Sequence, residues 1–79
     1  MRLSDLSRDV PAVIVTVDDV TRPDPISGRL RDLGFVAGEA LRVVAHGPFG
    51  GDPMLIQIGF TQFALRRAEA ARVQVECDA

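Results

Sequence analysis

Few side chains in this chain are equipped for chemistry. His46 is the one histidine and Cys77 the one cysteine among 79 residues. Nucleophilic catalysis needs a serine or cysteine beside a histidine base and an orienting acid, and no local signature assembles such a set here. A structural zinc site takes about four nitrogen or sulfur ligands, usually at paired spacing, which one histidine and one cysteine do not supply. His46 with Glu39 or Asp52 is a weak candidate set for a divalent metal; the competing reading is a solvated histidine where a strand meets a loop. Asp18, Asp19 and Asp24 could hold a hard cation loosely, or form a solvated acidic loop ahead of a helix. Gly50-Gly51 has the glycines of a phosphate-cradling loop but lacks the Lys-Ser/Thr pair and does not run into a helix. Arg66-Arg67 could meet an acidic partner or stay solvated. Phe49 is a lone aromatic among glycines and prolines, so it either folds back on the core or touches a partner. Cys77, in phase with Val73 and Val75, reads as a small apolar residue packed at a rim.

The elements that must position these residues are mostly strands. Valine and isoleucine outnumber leucine two to one, which favours extended structure. Ala12 to Val17 follows Pro11 with apolar residues on both alternating faces, so a strand covered on both sides is expected. Asp24-Pro25 is a helix start, a capping carboxylate followed by proline at the first helical position. Ile26, Leu30 and Leu33 then form one apolar stripe, and Gly34 stands where a left-handed cap ends the helix. Leu41, Val43 and Ala45 alternate with Arg42, Val44 and His46, a half-buried strand. Residues 47–53 are dense in Gly and Pro and predict a loop. Met54 to Phe60 predicts a strand with Met54, Ile56, Ile58 and Phe60 on one face. Gln62 to Leu65 is a fourth strand, Arg67 to Ala71 a helical turn, and Val73 to Cys77 a fifth strand. Five short strands close most economically into a small barrel, one domain over residues 1–79, with one short helix between the first two strands.

Composition narrows the function classes. At 79 residues the chain is too short for a Rossmann domain, a TIM barrel or a kinase. With 47% hydrophobic residues and a net charge of −2, it has the makings of a folded core and lacks the basic footprint of a general nucleic-acid binder. A lone cysteine cannot staple a secreted domain. No apolar run approaches the roughly 18 residues of a membrane span, and no signal peptide opens the chain. A cytoplasmic location, no membrane insertion and no nucleic-acid partner are therefore expected.

From Leu3 to Glu76 the chain resembles the FeoA family, the small ferrous iron transport protein A. Leu3-Ser4-Asp5-Leu6 is similar to that family's opening LxxL. Arg29 to Glu39, reading RLRDLGFVAGE, resembles its RLxxLGxxPG segment. His46 to Pro53 resembles its Pro-x-Gly-Gly-Pro loop, and Phe63 to Glu76 resembles its ALR-containing ending. Ala37 replaces the usual proline, and Asp9-Val10-Pro11 stands where a glycine is usual. All four motifs in order make the match specific. The resemblance implies a mainly β, SH3-like barrel and a cytoplasmic accessory of FeoB, the membrane ferrous iron permease with a GTPase domain. The same module resembles the SH3-like domain of DtxR-type metal-dependent repressors, so the alternative is a divalent-metal carrier or sensor.

No enzyme activity and no cofactor are expected. Without Trp or Tyr the chain is poorly equipped for polyproline recognition, which leaves strand addition or burial of an apolar patch as the mode of docking. The expected partner surface is the helix end together with the hairpin loop, anchored by Phe35, Val36 and Phe49 with Arg66 beside them. Weak self-association stays open.

Overall fold

A computed structural model of the chain describes residues 1–77. After a short 3-10 turn at Leu3–Asp5 come β1 (Ala12–Val17), α1 (Pro25–Asp32), β2 (Ala40–Gly47), β3 (Gly51–Ile58), β4 (Thr61–Leu65), the single turn α2 (Arg67–Ala70) and β5 (Val73–Cys77). The five strands form one antiparallel sheet in the order β4-β3-β2-β1-β5. β4 and β5 are its two ends and are not paired to each other, so the expected barrel is curled but left open.

Helix α1 begins and ends as its residues dictate. Asp24 Oδ1 accepts the N–H groups of Ile26 and Ser27 at 3.0 and 3.3 Å, which satisfies two donors of the first turn. Gly34, at φ +111°, donates its N–H to Arg31 O, and Phe35 N–H reaches Leu30 O at 3.0 Å. This is a Schellman closure, in which the residue after the glycine turns back onto the helix's last buried position. Leu33 is the C-cap and 40% exposed, so the apolar stripe ends at Leu30.

One hydrophobic core runs through the molecule. Leu3, Leu6, Ile14, Leu30, Phe35, Val43, Met54, Ile56, Leu65, Val73 and Val75 are all essentially sealed from solvent. β1 departs from the expectation of cover on both faces. A bulge between Ile14 and Thr16 shifts its phase, so Ala12, Ile14 and Val17 face the core while Val15 is exposed. The stretch read as a loop over 47–53 is mostly strand: Phe49 and Asp52 exchange backbone hydrogen bonds across a tight connection, and β3 starts at Gly51. At the other end β3 stops at Ile58. Phe60, expected on its buried face, is fully exposed in the two-residue turn Gly59-Phe60. Cys77 is exposed rather than packed. No helix among the described residues is long and apolar enough to cross a membrane.

Candidate functional site

The acidic loop ahead of α1 is consumed by the fold. Asp24 Oδ2 accepts Val20 N–H and Arg72 Nε, both at 2.9 Å, in addition to the helix cap on its other oxygen. These hydrogen bonds, with that from the Val20 N–H foremost, hold its carboxyl well below the usual carboxylate range. Asp18 meets Gln74 Nε2 at 3.1 Å and Arg2 Nη1 at 2.7 Å, which lowers its pKa as well. Asp19 pairs with Arg31 at 3.1 Å. Three aspartates that could have gathered a cation are each matched to an arginine.

The weak metal set is not assembled either. Glu39 precedes β2 and His46 lies near its far end, so roughly 20 Å of strand separates them at about 3.3 Å per residue. Asp52 Oδ1 accepts the Arg67 N–H at 2.9 Å and thereby caps α2. His46 is exposed, opposite Met54 in the β2–β3 register. Among the described residues no three His, Cys, Asp or Glu side chains are gathered to hold a metal.

The expected partner residues separate into two places, Phe35 and Val36 past the helix end and Phe49 and Arg66 at the hairpin. Phe35 is completely buried, its ring 5.5 Å from that of Phe63 and tilted by 58°, so it is a core residue and not a surface anchor. Val36, 44% exposed, borders a shallow depression with Thr16, Val17 and Ala37 beside β1. Phe49, 82% exposed, lies instead with Asp52, Pro53 and Arg66 around a depression of about 370 Å³. Helix end and hairpin thus do not share one rim.

Pro53 and Arg66 also line a larger neighbouring groove of about 570 Å³, with Ile26 and Arg29 from α1, Ala64 from β4, and Ala68 and Glu69 from α2. It shares Pro53 and Arg66 with the smaller depression, so the two adjoin. Its wall contains one internal ion pair, Arg29 Nη2 to Glu69 Oε2 at 3.2 Å, and Glu69 Oε1 also accepts the Arg66 N–H. The Arg66 and Arg67 guanidiniums have no carboxylate within ion-pair distance among the described residues. The groove itself was not legible in the sequence. Its walls come from α1, β3, β4 and α2, which no local spacing connects.

The FeoA domain model matches residues 1–77. The Fe(2+) transport protein A/Fe(2+) transporter FeoB fusion protein of Porphyromonas gingivalis is 37% identical over 76 residues, which is 96% of this chain and 8% of that protein. This chain therefore spans less than a tenth of that relative. The zinc-complexed crystal structure of FeoA from Stenotrophomonas maltophilia, described as a procaryotic SH3 domain protein, is 54% identical. It covers 96% of this chain and 89% of its own, with a TM-score of 0.89. The solution structure of iron(II) transport protein A from Clostridium thermocellum is 35% identical, covering 99% of this chain and 46% of its own, with a TM-score of 0.85. The open five-stranded sheet is accordingly SH3-like, and the chain belongs to the FeoA family.

Proposed function

We propose that this chain is an accessory of ferrous iron uptake and works by docking on the cytoplasmic part of a FeoB-type membrane permease. One observation carries the reading: in the Porphyromonas gingivalis relative, an equivalent domain and the FeoB transporter are parts of one protein. Fusion places two modules at an effective concentration on the order of millimolar. Contact without such a tether needs an exposed surface. The exposed Phe49 beside the unpaired Arg66 is the surface this chain offers, and Phe49 has no core role that would explain an aromatic there.

The test is a pull-down and titration with the soluble cytoplasmic domain of the permease from the same source, with and without guanine nucleotide. Phe49→Ala should leave the melting temperature nearly unchanged and weaken association by about 1–3 kcal/mol, the range of an interface anchor. Absence of any association of the parent chain would overturn the reading. A stable Phe49→Ala protein that binds as tightly as the parent would remove Phe49 from it.

A further inference from the structure

The hairpin that carries Phe49 is loose by its own chemistry. Its tip holds Gly50 and Gly51 at φ +66° and +88°, a region that glycine enters freely and other residues resist. The β2–β3 register breaks between His46 and Gly47, just before the tip. The two backbone bonds that close the tip, Phe49 N to Asp52 O and Asp52 N to Phe49 O, are long, at 3.4 and 3.2 Å.

One side chain ties this hairpin to the segment that carries Arg66. Asp52 Oδ1 accepts the Arg67 N–H at 2.9 Å, across 15 positions of sequence. That N–H belongs to the peptide joining Arg66 to Arg67. The preceding N–H, that of Arg66, is held at 2.9 Å by Glu69 Oε1, and Glu69 in turn meets Arg29 of α1. Arg67 Nη1 lies 3.3 Å from where a Cβ on Gly51 would stand, so the Arg67 side chain folds over the same hairpin arm. Phe49 and Arg66 border one depression of about 370 Å³ because Asp52, which also lines it, fastens their two segments together.

Resting on the docking reading above, we infer that Asp52 is the positioning residue of the docking surface. Its carboxylate fixes Phe49 and Arg66 at one spacing before a partner arrives, so the hairpin is ordered on folding and not on binding. A carboxylate that did no more than cap the four-residue α2 would change stability and leave the docking of the folded chain untouched.

The test uses the intact chain and the soluble cytoplasmic domain of the permease. Asp52→Ala removes the acceptor, and Asp52→Asn keeps an oxygen in its place. Arg67→Pro deletes the donor from the other side. Proline is tolerated at the first position of a helix, and the preceding Arg66 is already extended at ψ 149°. In the free chain, NMR order parameters at Phe49 and Gly50 should be strand-like, about 0.85, in the parent and in Asp52→Asn. They should fall to about 0.6 or below in Asp52→Ala and in Arg67→Pro, while circular dichroism melts show both folded. Either of these variants should weaken association about tenfold, the size of one lost hydrogen bond, and Asp52→Asn by less than about threefold. In a Phe49→Ala background the Asp52→Ala loss should shrink, because a loosened tip no longer misplaces a ring that is absent. A tip that stays rigid in both Asp52→Ala and Arg67→Pro overturns the inference. So does a loosened tip with association unchanged, or a loss that adds in full to that of Phe49→Ala, and in these cases the docking reading stands. Asp52→Asn behaving as Asp52→Ala would assign the effect to the charge and overturn the hydrogen-bond tie. Absence of any association of the parent overturns the docking reading and this inference with it, however rigid the tip.

Discussion

Truncating Phe35 to alanine tests the most consequential placement in the structure, because the same residue read as a surface anchor would behave in the opposite way. Phe35 is fully buried, stacks at a tilt against Phe63, and belongs to the turn that closes α1 onto Leu30. Removing a buried phenylalanine ring costs about 3–5 kcal/mol, which includes both the lost transfer of the ring and the cavity left behind. At roughly 0.05–0.15 kcal/mol per residue a chain of this length has only about 4–12 kcal/mol in total. For domains of this size each kcal/mol moves the melting temperature by about 4–8 °C, so Phe35→Ala should melt roughly 12–40 °C lower or fail to fold. The chain has no Trp and no Tyr, so circular dichroism rather than intrinsic fluorescence is the probe, in thermal and urea titrations. Phe35→Leu, which keeps most of the apolar volume, should lose less and keep the experiment readable if the alanine variant is unfolded. A folded Phe35→Ala protein melting within about 3 °C of the parent, under about 1 kcal/mol, would refute the reasoning that closes the helix through this ring.

Gly34→Val should cost more than about 1 kcal/mol, because φ is +111° and a β-branched residue is poorly tolerated there. No atom lies within 4 Å of a Cβ added at Gly34, so the part of the loss that Gly34→Ala already shows in urea titration is backbone strain and not a clash. Acid should weaken the fold through Asp24 and Asp18, whose carboxyls are held below the ordinary value of 3.8. A carboxyl with a depressed folded-state pKa stabilises above its unfolded value and loses that contribution as the pH falls through the folded one. Stability measured by urea titration should therefore be level above about pH 5 and decline below about pH 4. Asp24→Asn, which keeps a helix cap but loses the charge facing Arg72, should be less stable at neutral pH and show a shallower decline in acid.

The sheet-forming stretches, the position of α1 and its two ends were legible because each is governed by neighbours in the chain. Asp24-Pro25 and Gly34 act on the nearest turn, and alternation in Val73 to Cys77 needs no knowledge of the partner strand. The fate of Phe35 carried a local signal too, since the residue after a C-terminal glycine cap commonly packs back on the helix. That rule places Phe35 on Leu30. What escaped was set by pairing between distant segments. The bulge that turns Val17 inward exists because β1 is in register with β5, some sixty residues away in the chain. The hairpin at Phe49 shortened the Gly- and Pro-rich loop because β2 and β3 pair almost to its tip.

Residue types alone determined that this chain folds as a mainly β module with one short capped helix. They also carried the resemblance to FeoA, whose domain model matches residues 1–77. Tertiary structure decided which aromatic is core and which is surface, that the acids before α1 are spent on arginines, and that β4 is an outer edge of the sheet. The division has a simple cause. Propensity and capping act over a few residues, whereas burial, ion pairing and an unpaired edge depend on which segments the sheet brings together.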